Sequence, residues 1–248
     1  MTMHNTIQYE PLLVALSFLI SVLGSYTALQ LAIAIPQARG RGAALGWVTG
    51  AAVALGGGAI WSMHFIGMNA ADMGVPVAYD ATLTFTSLLL AILAPGVGLY
   101  MVGRGQGSVV KLLLAGIFTG LGVAVMHYTG MAAMIMQATI NYDPNLFNLS
   151  LVIAVAAATV AFWLAFNLRG NLQRFGSALV MGVAVCGMHY TGMYAVRLEH
   201  TAQANGSGVY LPPSAMAYTI FAITAVLMLL LLVFNAWRVQ REMSEEIA

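Results

Sequence analysis

Three histidines in this sequence have the residue type and the spacing of a shared ligand-binding site. His64, His127 and His189 are separated by 63 and 62 residues, and each has Met directly before it and Met four positions after it. Imidazole nitrogens suit zinc, copper and iron, whereas thioether sulfur favours Cu(I). Buried polar groups are costly in a membrane and are usually functional there. We therefore predict one metal site built from the three histidines. For any single histidine, the alternative is a structural hydrogen bond to a backbone carbonyl.

Six methionines flank these histidines. At 100° per residue, the Met at His+4 lies within about 40° of the His direction, whereas the Met at His−1 points about 100° away. We expect the His+4 set to supply metal ligands and the His−1 set to pack in the core, although two sites with different Met partners are an alternative. The His+4 set is Met68, Met131 and Met193, and the His−1 set is Met63, Met126 and Met188.

This soft set of donors favours copper as the cofactor. Zinc is the alternative, but its usual ligands are Cys, His, Asp and Glu. Haem held by two of the histidines is less favoured because it leaves the third histidine unexplained. Cys186 lies three residues before His189 and has no counterpart in the other segments, so we interpret it as a small buried residue.

Aromatic residues follow the histidines directly. Tyr128 and Tyr190 follow His127 and His189, and Phe65 takes the place of tyrosine after His64. Aromatic residues are common near membrane interfaces, which is one interpretation. The other is a hydroxyl that orients a metal ligand or donates to a bound diatomic molecule.

Two sets of glycines repeat with the histidines. Small residues let membrane helices approach closely, so we expect the helices that carry the histidines to converge on a common axis, with the histidines at similar depth. The first set lies seven residues before each histidine, within about 20° of its direction, and the second lies three residues after. The sets are Gly57, Gly120 and Gly182, and Gly67, Gly130 and Gly192.

The elements that position these residues are membrane helices. The 248-residue chain is 60% hydrophobic and 7% charged, with a mean hydropathy of +0.87, whereas a soluble domain carries roughly 25% charged residues. A net charge of +1 does not indicate a surface that binds nucleic acid. A membrane span needs about 20 apolar residues, and seven windows qualify. They lie near residues 10–34, 43–68, 81–102, 110–136, 149–168, 175–196 and 214–237.

The segments around the histidines align without gaps, which predicts an all-α membrane protein of three tandem helical hairpins plus a seventh helix in one domain, 1–248. The repeats cover about residues 10–68, 81–136 and 149–196, and helix 7 about 214–237. The region before the first window has no Lys or Arg and the apolar run is long, so we interpret it as a retained helix and not as a signal peptide.

The distribution of charge predicts the orientation, because cytoplasmic loops retain Lys and Arg. Eight of the nine cations fall on one side, and the ninth, Arg197, falls on the other side with five acids. The N-terminus is therefore expected outside and the C-terminus inside, with all three histidines near the outer face. The eight cations are Arg39, Arg41, Arg104, Lys111, Arg169, Arg174, Arg238 and Arg241.

Residues 126–129 and 188–191 read MHYT, and residues 63–66 read MHFI. Nearly the whole chain resembles the MHYT family of bacterial integral-membrane sensor domains. The resemblance implies a multi-pass protein of the bacterial inner (plasma) membrane, proposed to sense O2, CO or NO through copper. The implied copper residues are the motif's Met, His and Tyr, with Phe65 and Ile66 as departures in the first copy. They are Met63, His64, Met68, Met126, His127, Tyr128, Met131, Met188, His189, Tyr190 and Met193.

The leading hypothesis is a sensor that responds to a diatomic gas or to redox state. Members of the family often continue into a cyclic-di-GMP synthase, a phosphodiesterase or a kinase. The resemblance therefore implies either a separate cytoplasmic signalling partner or a longer protein with an output domain, of which this chain is a fragment. The alternative is a zinc- or copper-dependent membrane enzyme, but apart from Glu10 at the start of the first window the predicted spans contain no Asp or Glu to act as a general base. Metal transport is a further alternative, although the basic side offers no second His or Met relay.

Overall fold

The computed structural model describes residues 7–104, 108–167, 170–204, 206 and 213–247. Within them the fold is a bundle of seven helices, with three short two-stranded sheets at the helix ends. The helices are α1 (Pro11–Ala32), α2 (Arg41–Ala70), α3 (Ala81–Gly103), α4 (Val109–Ala132), α5 (Pro144–Asn167), α6 (Asn171–Tyr194) and α7 (Pro213–Ile247).

Six of the seven helices are long and apolar enough to cross a membrane, and α6 is the exception. Its first turn carries Asn171, Gln173 and Arg174, and these polar residues lower its mean hydropathy. Helix α6 nevertheless carries the third histidine and packs against both α1 and α5. The helix therefore begins four residues before the predicted window 175–196, with a polar first turn.

Helix α2 contains a stretch of π-helix, Val53–Trp61, that ends just before the first histidine. At its end, the Ser62 backbone N–H donates to the Gly57 carbonyl, and the Ser62 hydroxyl donates to the same oxygen at 2.8 Å. π-helical turns are rare and frequently mark functional sites. The wider turns change which residues of α2 face its neighbours.

Three short antiparallel sheets lie at the end of the helices that carries the histidines, and sequence patterns did not predict them. Each pairs the residues entering an odd-numbered helix with the residues leaving the following even-numbered helix. The same arrangement thus occurs three times and holds the ends of the helices at one level. The pairs are β1 (Gln8–Tyr9) with β2 (Ala71–Asp72), β3 (Ala78–Tyr79) with β4 (Met134–Ile135), and β5 (Ala138–Tyr142) with β6 (Val196–His200).

A backbone hydrogen bond beside each sheet fixes the helix ends further. In each case the residue that precedes an odd-numbered helix donates its N–H to the carbonyl six residues after a histidine. The bonds are Glu10 to Ala70 at 2.8 Å, Asp80 to Ala133 at 2.8 Å and Asp143 to Ala195 at 2.7 Å. Each histidine therefore lies the same number of residues before its hydrogen-bonded helix end, which places the three histidines at one level below the sheets.

Apart from Arg197, which lies in β6, the basic residues of the described chain lie at the opposite end of the helices from the sheets. Arg41 begins α2, Arg104 follows α3, and Arg174 lies in the first turn of α6. The Arg238 guanidinium stacks over the Trp47 ring at 3.9 Å, joining the last helix to the basic end of α2. Arg169 and the side chain of Arg241 lie outside the described part of the chain.

Candidate metal centre

The three histidines meet in the interior with their Nδ1 atoms facing one another. The Nδ1 atom of His64 is 3.1 Å from that of His189 and 3.1 Å from that of His127, and the third side of the triangle is 3.4 Å. The rings stand edge-on to each other, with centroids 4.8 to 5.2 Å apart. Each side chain is 1% exposed. The predicted convergence of the three motifs is therefore seen in the structure.

In this arrangement the six histidine ring nitrogens cannot all form hydrogen bonds. A neutral imidazole has one N–H and one lone pair, and the tautomer is inferred from the surrounding contacts. The three Nε2 atoms are buried and have no hydrogen-bond partner among the described residues. If all three Nδ1 atoms present lone pairs, they repel each other. A bound cation removes that repulsion.

The size of the triangle fits a transition metal. A point in the plane of the three Nδ1 atoms and equidistant from them is about 1.9 Å from each, close to the 2.0–2.1 Å of a zinc–imidazole bond. His64, His127 and His189 form the one group of three metal-ligating His, Cys, Asp or Glu side chains among the described residues. The residues present therefore fit a three-histidine metal centre.

The glycines three residues after each histidine position the imidazole rings in a cyclic order. A Cβ atom at Gly130 would overlap the ring of His64, one at Gly192 would overlap the ring of His127, and one at Gly67 would overlap the ring of His189. Each ring therefore packs on the glycine of the next repeat. These glycines make close approach possible, as predicted, but the approaching group is an imidazole and not a helix backbone.

The glycines seven residues before each histidine face other helices. Gly120 packs on the backbone of α5 at Val155, and Gly182 packs on Val22 of α1. Gly57 has only ordinary side-chain contacts, and the close backbone approach to α3 is made by Gly56 instead. The prediction that this set faces the shared axis was wrong, because these glycines contact odd-numbered helices, and in α2 the π-helical turns shift the contact by one residue.

The two sets of methionines occupy different places. Met68, Met131 and Met193 belong to one buried cluster on the side of the sheets, where Met73, Met134 and Met136 join them. The methionines before each histidine are distributed over three other clusters, and they also line a cavity on the opposite side of the imidazole rings. All six motif methionines are at most 3% exposed. Which of them bind a metal stays a prediction.

The motif tyrosines donate to, or accept from, buried serines of neighbouring helices. The Tyr128 hydroxyl lies 2.7 Å from Ser150 Oγ in α5, and the Tyr190 hydroxyl lies 3.0 Å from Ser17 Oγ in α1. The tyrosine rings stand edge-on to the histidines before them, with centroids 4.8 Å apart. These hydroxyls therefore have hydrogen-bond partners other than the histidines.

A tryptophan supplies the corresponding hydrogen bond in the first repeat, where Phe65 has no hydroxyl. The Trp61 indole N–H donates to Ser87 Oγ in α3 at 3.0 Å. All three serines are 0% exposed, and each lies seven residues after the acidic residue that precedes its helix. Sequence reasoning missed these serines, although the repeated acid-to-serine spacing was a usable signal.

Aromatic residues of the sheets cover the motif. Tyr9 packs edge-on against Tyr190 with ring centroids 5.6 Å apart, and Tyr79 lies 5.7 Å from the ring of Phe65. Burial raises the pKa of both tyrosines above the usual value, so both stay neutral. Asp72, the last residue of β2, is exposed and accepts from the Gly74 N–H, so it does not belong to the buried histidine site.

A family model described as the bacterial signalling protein N-terminal repeat, MHYT, matches residues 1–46, 57–115, 120–178 and 182–244. The chain belongs to the MHYT family. The three longer matches begin 63 and 62 residues apart, which is also the spacing of the three histidines. The resemblance to this MHYT family predicted from the motif is therefore confirmed.

Relatives of this MHYT chain are bacterial signalling proteins. It is 42% identical over 232 residues to the bifunctional diguanylate cyclase/cyclic di-GMP phosphodiesterase MucR of Pseudomonas aeruginosa, a match covering 92% of this chain and 34% of MucR. It is 36% identical over 244 residues to the cyclic di-GMP phosphodiesterase NbdA of the same organism, covering 96% of this chain and 30% of NbdA. The signaling protein YkoW of Bacillus subtilis is 34% identical over 214 residues, covering 84% of this chain and 26% of YkoW.

The MHYT chain thus spans about a third or less of the length of these relatives. No solved structure matches it.

Proposed function

We propose that this MHYT domain is a membrane sensor that binds one copper ion through His64, His127 and His189 and responds to a diatomic gas or to redox state. The observation that carries the proposal is the triangle of Nδ1 atoms, with sides of 3.1, 3.1 and 3.4 Å, at the centre of the helices. Three buried imidazoles at this separation match the geometry of a three-nitrogen metal site.

Each residue of the motif has a defined task in this proposal. The histidines bind through Nδ1, and the glycines of the following repeats hold the rings in place. The thioethers of Met68, Met131 and Met193 lie together on one side of the histidines and favour Cu(I) over harder ions. These residues would hold the copper ion, which when bound would supply a centre for a diatomic ligand or for electron transfer.

We further propose seven crossings of the bacterial plasma (inner) membrane, with the N-terminus and the three sheets outside and the C-terminus inside. The concentration of cations at the end opposite the sheets supports this orientation. Because the other helices of the bundle are long and apolar, the α5–α6 hairpin is expected to place α6 across the bilayer despite its polar first turn.

Helix α7 is the proposed route to the cytoplasm. The Ser62 hydroxyl, two residues before His64, lies 2.8 Å from Thr224 Oγ1 of α7. A change at the histidines therefore has a short path to the helix that leads inward. MucR and NbdA are named for making or degrading cyclic di-GMP, so we propose an output of that class, in a following domain or in a separate signalling protein.

The test is metal analysis of the purified protein together with absorption spectra of the oxidised and reduced forms, before and after addition of CO or NO. We expect one copper per chain in the wild type and none in the triple variant His64→Ala, His127→Ala, His189→Ala. The matched control is His200→Ala, which removes an exposed histidine of β6 and should leave the copper content unchanged.

Other metals would contradict the proposal in different ways. A Soret band would identify haem, and stoichiometric zinc would favour the enzyme. A protein without metal whose folding does not change in the triple variant would exclude the metal site altogether.

A further inference from the structure

A cavity of about 50 Å³ lies against the three imidazole rings on the side away from the sheets. The residues that α2, α4 and α6 contribute to its wall include positions one, four and eight or nine before each histidine. Because these helices run from the basic end toward the sheets, the cavity lies deeper in the bundle than the histidines. The His−1 methionines, Met63, Met126 and Met188, form the wall nearest to the rings.

The interior of this cavity is apolar. Apart from the histidines, Thr119 is the one hydroxyl or amide side chain among the described lining residues, and it donates to the Ala94 carbonyl at 3.1 Å. A buried water needs about two to four polar partners, whereas apolar cavities stay dry and bind ligands such as xenon. The cavity is therefore suited to a small uncharged molecule and not to water or an ion.

Helix α5 forms one wall with small side chains. Ala154, Ala157, Ala158 and Ala161 line the cavity, and their short side chains leave it open. Ala154 is buried, whereas Ala157, Ala158 and Ala161 are partly exposed on the outer surface of the bundle. In the proposed orientation that surface faces lipid, where an apolar gas is favoured over water.

The other side of the imidazole rings is closed. The cluster that contains Met68, Met131 and Met193 fills the space between the histidines and the sheets, and these three methionines are at most 2% exposed. The two sides of the histidines therefore differ: one carries packed thioethers, and the other carries an apolar space. An apolar ligand finds room on the second side.

We propose that this cavity is the docking site for a neutral diatomic gas of the O2 class, which reaches the three-histidine centre from the bilayer through the alanine wall of α5. The inference rests on the proposed function for the role of the centre. The docking of gas rests on the cavity itself, so it can be measured in protein without metal.

The experiment compares Ala158→Leu, which fills the cavity, with the matched control Ala156→Leu. Ala156 lies on the same helix but is exposed on its outer face. Xenon binding is measured by NMR in the metal-free protein in detergent. CO binding is measured by the infrared band of bound CO in the reduced, copper-loaded protein.

We expect xenon to bind the wild type and the Ala156→Leu variant and to be lost in Ala158→Leu. Copper content should be the same in all three, while CO affinity in Ala158→Leu falls by about tenfold or more, because added carbon atoms in a small pocket discriminate on that scale. If Ala158→Leu does not fold, Ala184→Leu fills the cavity from α6 and carries the same expectation.

Unchanged xenon and CO binding in a folded, cavity-filled variant would overturn the inference. Absence of copper in the wild type would overturn the proposed function alone. Loss of xenon binding in Ala158→Leu would still support the cavity as a gas site in that case.

Discussion

The Trp61 indole N–H donates to Ser87 Oγ in the position where the other two repeats join a tyrosine hydroxyl to a serine. The first repeat thus keeps the hydrogen bond between its motif helix and α3 although Phe65 lacks a hydroxyl. The donor comes from the preceding turn of α2 and not from the residue after the histidine. All three repeats therefore contain a hydrogen bond from an aromatic side chain of the motif helix to a buried serine. The aromatic residue is tyrosine in two repeats and tryptophan in the first.

We expect Ser87→Ala to lower the free energy of unfolding by about 1–3 kcal/mol, because it leaves a buried indole N–H without an acceptor. Thermal unfolding in detergent measures the change. The control is Thr219→Ala, since Thr219 is exposed and its hydroxyl donates only to the Ala215 carbonyl of its own helix. Equal effects of the two substitutions would contradict the structural role of Ser87.

Two glycines of α6 give a second test. A Cβ at Gly192 would overlap the ring of His127, whereas one at Gly187 would meet nothing within 4 Å. Gly192→Ala is expected to displace the imidazole and abolish copper binding, while Gly187→Ala should keep full copper content and gain up to about 1 kcal/mol of helix stability. Metal analysis and thermal unfolding of both variants check this. Retention of copper in Gly192→Ala would contradict the proposed packing.

The methionines of the motif give a third test, because Met and Leu have similar volumes and exchange at low cost in a core. The triple Leu variant of Met68, Met131 and Met193 is expected to weaken Cu(I) binding by about tenfold or more, since it removes the soft donors. Competition with a Cu(I) chelator measures the affinity.

The control replaces the other three motif methionines with Leu and should leave Cu(I) affinity within a few fold. Stronger loss of affinity in this control would show that the cavity side supplies the ligands. The control methionines are Met63, Met126 and Met188.

The contact between α2 and α7 gives a fourth test. Thr224→Val removes the hydroxyl that lies 2.8 Å from Ser62 Oγ, while Ser62 keeps its bond to the Gly57 carbonyl. We expect a loss of only about 1 kcal/mol in stability, with a clear reduction of the copper-dependent change in amide exchange along residues 214–238. Thr219→Val on the exposed face of the same helix should leave that change intact. An identical response of both variants to copper would exclude this contact as the path to α7.

Much of the site followed from the sequence because spacing along regular helices determines depth and direction. His64, His127 and His189 recur at one helical hairpin plus its loops, which was enough to predict that they meet. Hydropathy predicted seven membrane helices, and six of the seven helices in the described residues are long and apolar enough to cross a membrane. The family followed from the four-residue motif itself.

Other features depended on irregular backbone, which periodicity does not detect. The π-helix of α2 moved the close approach to α3 from Gly57 to Gly56. Strands of two residues, such as β3 and β4, are too short to show alternation. Met134, in β4, and Met136 belong to the buried methionine cluster although neither lies in a helix. Their contact with the motif methionines depends on tertiary packing, which the sequence pattern does not show.

The cyclic packing of His64 on Gly130, His127 on Gly192 and His189 on Gly67 has a consequence for how such a chain can be rearranged. Deletion of one hairpin would leave one imidazole without a glycine to receive it and one glycine without its imidazole. Closure of the ring of imidazole–glycine contacts therefore requires all three hairpins of this chain.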